Sequence, residues 1–166
     1  MTGLDTFTDR LDYPMYVVTA AADGEQSGCL VGFASQNSLH PPRFVVWLSK
    51  ANHTFGVARR AGFLAVHLLG RDQDGLVALF GGLTGDHVDK FAEVRWRPGE
   101  GGAPVLEDAR AWFVGRVEDH ADWGDHVGFL LSPVEVGPAG EEAAAQPRGA
   151  LLSLSDVVGL TPGHPA

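Results

Sequence analysis

The sequence contains a single cysteine, Cys29, and its twelve basic residues include only two lysines, Lys50 and Lys90. One cysteine excludes an intrachain disulfide and a zinc site built on several cysteines. Because Cys29 lies in an apolar run, we expect a small buried side chain rather than a reactive thiol. The formal net charge is −9, so no broad nucleic-acid-binding face is expected, since phosphate backbones are bound by clustered Lys and Arg.

Several motifs are also missing. No apolar run approaches the ~20 residues of a membrane helix and no charged-then-apolar leader opens the chain, so we expect a cytoplasmic protein without membrane attachment. No G-x-G-x-x-G follows a predicted strand and no P-loop is present, which argues against a Rossmann unit or a P-loop nucleotide site. H-E-x-x-H and G-x-S-x-G are absent as well, so neither a metal site nor a serine nucleophile is expected.

The composition is that of an ordinary globular protein. The chain has 166 residues, of which 45% are hydrophobic and 20% charged. A chain of this length and composition buries most of its apolar surface without needing disulfides or bound metals. We therefore expect a single domain over residues 1–166.

Short runs rich in β-branched and aromatic residues, separated by turn residues, predict closely spaced strands. The Asp23-Gly24 turn makes the first two strands a hairpin, because Asp-Gly favours tight hairpin turns. Six or seven such strands favour a closed or nearly closed barrel over a doubly wound parallel sheet. The predicted strands are residues 16–21, 29–33, 44–48, 64–69, 111–118 and 127–136, with a further short strand at 151–154.

Short helices are predicted between the strands. Asn52 or Thr54 is expected to cap a helix that runs through residues 57–61, and a second helix covers residues 73–80 before two glycines. Residues 1–12 form an irregular segment or a short helix with Thr8 or Asp9 as cap. We expect residues 84–101 to be a long excursion over the surface or into a partner subunit, 137–149 a loop and 161–166 a frayed tail.

Within residues 27–54, two apolar runs each end in small polar residues. Pro41 and Pro42 stand between the runs and exclude a helix there, because proline fixes φ and lacks an N–H. If the two strands lie side by side, both polar clusters reach one rim, where hydroxyls, amides and free N–H groups hold an anionic ligand such as a phosphate. The clusters contain Ser35, Gln36, Asn37 and Ser38 after the first run, and Ser49, Lys50, Asn52, His53 and Thr54 after the second.

Two histidines have distinct expected roles. His67 lies inside an apolar strand and is expected to be a hydrogen-bonded core residue. His126 ends the triplet Gly124-Asp125-His126, in which glycine permits a tight turn and the carboxylate orients an imidazole towards a cleft. The plain alternative for that triplet is a turn between two strands.

Taken in order, these segments resemble the flavin reductase family, whose fold is the FMN-binding split barrel. The similarity covers residues 13–136 and is carried by YVVTAAADG, SGCLVGFASQNSLHPPRFVVWLSKANHT, AGFLAVHLLGRDQDGLVALFGG, DKF and GDH. The resemblance implies a mainly β fold, a six- to seven-stranded Greek-key split barrel with short helices, in a homodimer with flavin grooves near the interface. Residues 137–166 are then a C-terminal loop and tail.

The resemblance also implies roles for particular residues. His126 stands near the nicotinamide or the reactive face of the flavin, and Lys90 and Phe91 cover the far side of the flavin. The phosphate is contacted by Ser49, Lys50, Asn52, His53 and Thr54. The isoalloxazine and ribityl chain lie along Val31, Gly32, Phe33, Ala34, Ser35, Gln36 and Ser38.

The activity implied is NAD(P)H-dependent reduction of FMN, or of FAD, by hydride transfer, with reduced flavin passed to a separate monooxygenase. The chain departs from the family pattern at two places. Many members have Met-Thr where this chain has Cys29-Leu30, and Ser, Thr or Asn where it has Gly32. Two alternatives stay open: a flavin-binding electron-transfer module without NAD(P)H turnover, and a split barrel that binds a deazaflavin or a haem-related compound.

Overall fold

A computed structural model describes residues 3–82, 89–138 and 150–159. Within these residues the main element is one antiparallel sheet of seven strands. They are β1 Tyr16–Ala22, β2 Glu25–Val31, β3 Ala34–Leu39, β4 Pro42–Ser49, β5 Phe63–Leu68, β8 Ala111–Asp122 and β9 His126–Gly137. Their order in the sheet is β2-β1-β5-β8-β9-β4-β3. A separate two-stranded sheet pairs β6 Trp96–Pro98 with β7 Pro104–Leu106.

Short helices fill the connections between strands. They are α1 Asp5–Thr8, α2 His53–Ala58, α3 Asp74–Gly82 and α4 Leu154–Val157, with 3-10 turns at Lys90–Ala92 and Glu100–Gly102. Among the described residues, none of these helices is long and apolar enough to cross a membrane. The prediction of a mainly β fold with short helices between strands is confirmed.

The seven-stranded sheet curls around one core. Val18 of β1, Val31 of β2, Val46 of β4 and Phe129 of β9 all belong to a single buried cluster, to which α2 adds Val57. Strands near both ends of the sheet therefore pack on the same interior, although β2 and β3 are not hydrogen-bonded to each other in the described structure. The result is an open barrel, and the two-residue link of Gly32 and Phe33 joins its two edges.

A second core lies on the outer side of β1 and β2. Phe80 of α3 and Phe91 of the first 3-10 turn meet edge to face, with ring centroids 5.8 Å apart. Lys90 is buried in the same layer, where its Nζ donates to the Gly28 carbonyl oxygen at 3.1 Å and to the Phe80 carbonyl oxygen at 3.4 Å. Burial lowers the pKa of this ammonium group.

Several local predictions are confirmed. Asp23 and Gly24 both adopt positive φ, 53° and 79°, and connect β1 to β2 in the predicted hairpin. Asn52 is the N-cap of α2, and its side chain accepts from the Thr54 N–H. Residues 123–125 connect β8 and β9, as expected.

Other predictions are wrong. The polar residues after β2 were expected to be a rim, but they form strand β3, which pairs with β4. Residues 89–101 do not form a simple surface excursion, because Phe91 is buried and β6 begins a hairpin; residues 83–88 lie outside the described part. Residues 5–8 do form a short helix, α1, one of the two alternatives expected; Leu4 is its N-cap and Asp9 its C-cap, so neither Thr8 nor Asp9 caps its start.

The C-terminal segment also differs from the prediction. Residues 151–154 make only isolated bridges, Gly70 with Leu151 and Pro14 with Ser153, before α4 begins. Leu152 and Val157 are buried in the second core, so part of the segment expected to be a C-terminal loop and tail belongs to the core. Of the loop predicted at 137–149, Gly137 belongs to β9 and residues 139–149 lie outside the described residues, as does the tail predicted at 161–166.

Candidate functional site

A groove lies where the two edges of the barrel meet. Its cavity measures about 180 Å³. Strand β2 and its link to β3 form one wall, and the C-terminal end of β4 and the start of β9 form the other. The lining residues are Tyr13, Met15, Cys29, Leu30, Val31, Gly32, Phe33, Trp47, Leu48, Ser49, Asn52 and His126.

The link between β2 and β3 contains a glycine, Gly32, because the side chains of Tyr13 and Met15 occupy the space into which a Cβ would project. A Cβ added to Gly32 would lie 2.7 Å from Cε2 of the Tyr13 ring and 3.0 Å from Sδ of Met15. The next residue, Phe33, is 52% exposed, and its ring centroid lies 5.0 Å from that of His126. An aromatic pair therefore stands at the mouth of the groove.

His126 is held by the connection between β8 and β9. Its Nδ1 lies 2.7 Å from a carboxylate oxygen of Asp125. The hydrogen bond with His126, and next the charge of that ring, lowers the pKa of the Asp125 carboxyl group. With Nδ1 donating to Asp125, Nε2 is the ring nitrogen that can hydrogen-bond a ligand.

Lys50 and an aromatic pair fix this connection to the end of β4. The Lys50 backbone N–H donates to the Asp125 carbonyl oxygen at 2.9 Å, and its Nζ makes a 2.7 Å ion pair with Asp122. The rings of Trp47 and Trp123 pack with centroids 5.2 Å apart, although Trp123 is 82% exposed. Three contacts thus set the position of His126 relative to the β4 wall.

Two polar side chains complete the groove at the end of β4. The Ser49 hydroxyl oxygen accepts from the Ala51 N–H at 3.2 Å, which leaves its proton free to be donated. The Asn52 side-chain oxygen accepts from the Thr54 N–H at 2.9 Å, so its amide NH₂ is the part able to donate to a ligand. Among the described residues, no group of three or more His, Cys, Asp and Glu side chains comes together as a metal site would require.

The structure brings six of the predicted site residues into this groove and places the others elsewhere. The six come from the β2–β3 link, the end of β4 and the start of β9, which the chain fold brings together. They are Val31, Gly32, Phe33, Ser49, Asn52 and His126.

The predicted residues Ala34, Ser35, Gln36 and Ser38 belong to strand β3. The Ser35 hydroxyl donates to the Gln36 carbonyl oxygen, and the Gln36 side chain donates to the Ser38 carbonyl oxygen. Gln36 lines a different cavity, of about 350 Å³, at the other end of β4, where Tyr16, Phe44 and Phe113 supply aromatic walls. Pairing with β4 explains this, because it directs β3 away from the groove.

Thr54 and His53 are also turned away from the groove. Thr54 is 1% exposed, and its hydroxyl lies 2.8 Å from that of Ser27 in the core. His53 Nε2 lies 2.6 Å from a carboxylate oxygen of Glu25, at the far end of β2. Lys50 contacts Asp122, as described above, so of the five residues predicted to hold a phosphate only Ser49 and Asn52 line the groove.

Lys90 and Phe91, predicted to cover a flavin, belong to the second core and do not line the groove of this chain. Cys29 does line it but is 4% exposed, and burial raises the pKa of its thiol to about 11. The thiol is therefore neutral at physiological pH, as expected for a structural cysteine.

The sequence-based prediction missed several walls of the groove, namely Tyr13, Met15, Leu30, Trp47 and Leu48. One signal was present, since Trp47 and Ser49 are two residues apart on β4 and therefore project to the same face. Tyr13 and Met15 carried no such signal. They precede β1, and only the folded structure brings them over Gly32.

Comparison with known proteins adds a family to this geometry. The family model described as "Flavin reductase like domain" matches residues 8–154. The Mycobacterium tuberculosis (strain CDC 1551 / Oshkosh) protein "Flavin-dependent monooxygenase, reductase subunit HsaB" is 32% identical over 136 residues, 80% of this chain and 70% of that protein. "FMN reductase (NADH) RutF 1" of Methylorubrum extorquens (strain PA1) is 29% identical over 161 residues, 95% of this chain and 79% of that protein.

Solved structures agree on the fold. The FMN-binding protein from Thermus thermophilus superimposes with a TM-score of 0.73 at 26% identity, covering 79% of this chain and 73% of that chain. The predicted split-barrel fold is thereby confirmed. One relative is much longer than this chain. The Rhizobium meliloti (strain 1021) protein is 32% identical over 114 residues, and this chain covers 36% of its length.

Proposed function

Because this chain belongs to the flavin reductase-like family, we propose that it is an NAD(P)H-dependent flavin reductase acting on FMN. The names of its relatives support this activity, since they include an FMN reductase that uses NADH and the reductase subunit of a monooxygenase. The observation that carries the proposal is that Gly32, Phe33, Ser49, Asn52 and His126, from three separate segments, line one groove.

The groove has the chemistry that a flavin ring requires. Its walls combine the apolar side chains of Met15, Val31 and Trp47 with the polar side chains of Ser49, Asn52 and His126. Such a combination is usual for cofactor sites, in which a few donors fix the orientation of an otherwise apolar ligand. When bound, the flavin supplies the redox chemistry, accepting hydride from the nicotinamide.

The size of the groove supports a homodimer. Its volume of about 180 Å³ is below the ~300–1,000 Å³ typical of small-molecule sites, so one protomer encloses only part of an FMN molecule. We propose that a second copy of the chain covers the remainder. Light scattering of the purified protein tests this: a mass of two chains is expected, and a monomer with full activity would contradict it.

The chain's own residues then have separate tasks. Ser49 and Asn52 donate hydrogen bonds to the polar side of the cofactor from the end of β4. Asp125 keeps the proton of His126 on Nδ1, so Nε2 faces the ligand, and Phe33 restricts the tilt of the imidazole ring. We assign His126 to seating the nicotinamide and excluding water from the reacting rings, a positioning task on which hydride transfer depends strongly.

The test is a steady-state assay of NADH and NADPH oxidation with added FMN or FAD. Wild-type protein is expected to show flavin-dependent oxidation. His126→Ala is expected to lower the turnover number by about tenfold or more, by analogy with other losses of alignment, with FMN affinity unchanged. His40→Ala, at an exposed turn away from the groove, is the matched control and is expected to match wild type.

One result would contradict the proposal, namely the absence of flavin-dependent NAD(P)H oxidation in the wild type. If the protein then still held FMN that NADH did not bleach, it would be a flavin-binding electron-transfer module instead.

The wider role follows from one relative. HsaB is named as the reductase subunit of a flavin-dependent monooxygenase, and we propose that this chain likewise supplies reduced flavin to a separate monooxygenase in the cytoplasm. Adding a flavin-dependent monooxygenase to the assay would then couple NADH consumption to hydroxylated product.

A further inference from the structure

Tyr13 occupies the space into which a side chain at position 32 would project. A Cβ built on Gly32 would lie 2.7 Å from Cε2 of Tyr13 and 3.5 Å from Cζ, the carbon that carries the hydroxyl. The hydroxyl-bearing end of the ring therefore lies over Gly32, on the wall of the groove. The chain places there a phenol that comes from the segment before β1.

This segment is anchored on both sides of Tyr13. The Leu154 N–H donates to the Tyr13 carbonyl oxygen at 2.9 Å, and the Met15 N–H donates to the Leu152 carbonyl oxygen at 3.0 Å. Asp12 accepts from both the N–H and the hydroxyl of Ser155, each at 3.0 Å. The C-terminal segment thus fixes the Tyr13 backbone, and its ring is positioned before any ligand arrives.

The hydroxyl of Tyr13 is available to a ligand. It makes no hydrogen bond within residues 3–82, 89–138 and 150–159, whereas Ser49, Asn52 and His126 each use part of their capacity within the protein. Tyr13 is half-buried, and its phenolic hydroxyl can donate a hydrogen bond to an acceptor that enters the groove. Tyr13 therefore adds a side-chain donor to the groove that comes from neither β4 nor β9.

From this arrangement we infer that Tyr13 contacts the flavin and donates a hydrogen bond from its hydroxyl to an acceptor atom on the flavin ring. The inference rests on the proposed function and adds to it a binding residue from outside the strands. It also explains why position 32 is glycine: any larger residue would displace the ring that makes this contact.

The test compares the two tyrosines of the chain. Tyr13→Phe removes only the hydroxyl, and Tyr16→Phe is the matched control, because Tyr16 lines the other cavity. By flavin fluorescence titration, Tyr13→Phe is expected to raise the FMN dissociation constant about tenfold, the effect of one hydrogen bond. Tyr16→Phe is expected to leave it unchanged within about twofold.

A second measurement reports on Tyr13 without a variant of that residue. In protein labelled with isotope at the tyrosine rings, two ring signals are expected, and the Tyr16→Phe spectrum assigns the Tyr13 signal. Saturating FMN is expected to shift the Tyr13 signal and to leave the Tyr16 signal in place.

The outcomes separate the inference from the function on which it rests. If the wild type binds FMN but Tyr13→Phe binds it equally well and the Tyr13 signal does not move, the inference is overturned and the reductase proposal stands. If the wild type binds no flavin, the proposed function itself fails, and the assignment of Tyr13 fails with it.

Discussion

His67 makes the stability of this protein depend on pH in a direction that the structure defines. The ring is fully buried between β1 and β7. Its Nδ1 donates to the Val17 carbonyl oxygen at 2.9 Å, and its Nε2 accepts from the Leu106 N–H at 3.0 Å. The ring is therefore neutral, and protonation of Nε2 would break the bond from Leu106.

Burial lowers the pKa of His67 from 6.5 to about 4, although its hydrogen bond with Val17 opposes part of this change. Below pH 6.5 the unfolded chain therefore binds a proton that the folded chain does not. The part of the folding stability that depends on the neutral His67 ring is fully present above pH 6.5 and is lost as the pH falls towards about 4. At about 1.4 kcal/mol per pH unit, the free energy of unfolding falls by about 2 kcal/mol between about pH 7.5 and about pH 5, and by about 3 kcal/mol at lower pH.

Urea denaturation of wild type and His67→Gln across this range checks the prediction. The variant is expected to be less stable at neutral pH but to lack this proton linkage. Carboxyl groups with lowered pKa, such as Asp72 and Asp156, affect both proteins equally and cancel in the difference. A difference in unfolding free energy that stayed constant from about pH 7.5 to about pH 5 would refute the reasoning.

The remaining predictions concern the groove and its surroundings. Thr54→Val leaves the buried Ser27 hydroxyl without its partner and is expected to lower the free energy of unfolding by about 1–3 kcal/mol with FMN affinity unchanged. Ser49→Ala is expected to do the reverse, raising the FMN dissociation constant several-fold while stability changes little; equal effects of the two variants on FMN binding would contradict both expectations. Gly128→Ala would put a Cβ 2.8 Å from the Trp47 ring, so chemical denaturation is expected to show a loss of about 1–3 kcal/mol from overpacking, together with weaker FMN binding. An unaltered near-UV circular dichroism spectrum would show that the ring had not moved.

Features fixed by local chemistry were predictable from the sequence. The hairpin at Asp23 and Gly24 follows from the positive φ that such residues tolerate, and the start of α2 follows from the capping amide of Asn52. His67 was expected in the core because its neighbours on the strand are apolar, and it is buried with both ring nitrogens hydrogen-bonded.

Features that depend on distant partners were not predictable. Strand β3 contains Ser35, Gln36 and Asn37, residues with weak strand preference, and it forms because its backbone pairs with β4. In β3, tertiary contacts overrode the local preference. Helix α4 differs, because it stands where a strand had been expected although a local signal was present: the Asp156 side chain accepts from the Ser153 N–H in a capping box.

The polar cluster around α2 shows why the site itself was only partly predictable. The cluster was expected to face one rim as a unit, yet it spans the end of a strand and the first turn of a helix. Asn52 stands at the helix start and lines the groove, while Thr54, Val57 and Ala58 recur at helical spacing and are buried. Helical periodicity thus directed the Thr54 hydroxyl inwards, towards Ser27.

The charges around the groove determine how tightly a flavin phosphate is held. No Lys or Arg is among the residues that line the groove in the described part of the chain, and Lys50, beside it, is paired with Asp122. The protein carries a net charge of −9, so a phosphate would be held mainly by Ser49 and Asn52 against an unfavourable overall field. Hydrogen bonds to a charged phosphate contribute about 1.5–3 kcal/mol each, and no cation among the described lining residues adds a charge pair, so we expect flavin to exchange rather than stay bound. Desalting protein saturated with FMN is expected to remove the flavin, and retention of one FMN per chain through gel filtration would show that further groups hold the phosphate.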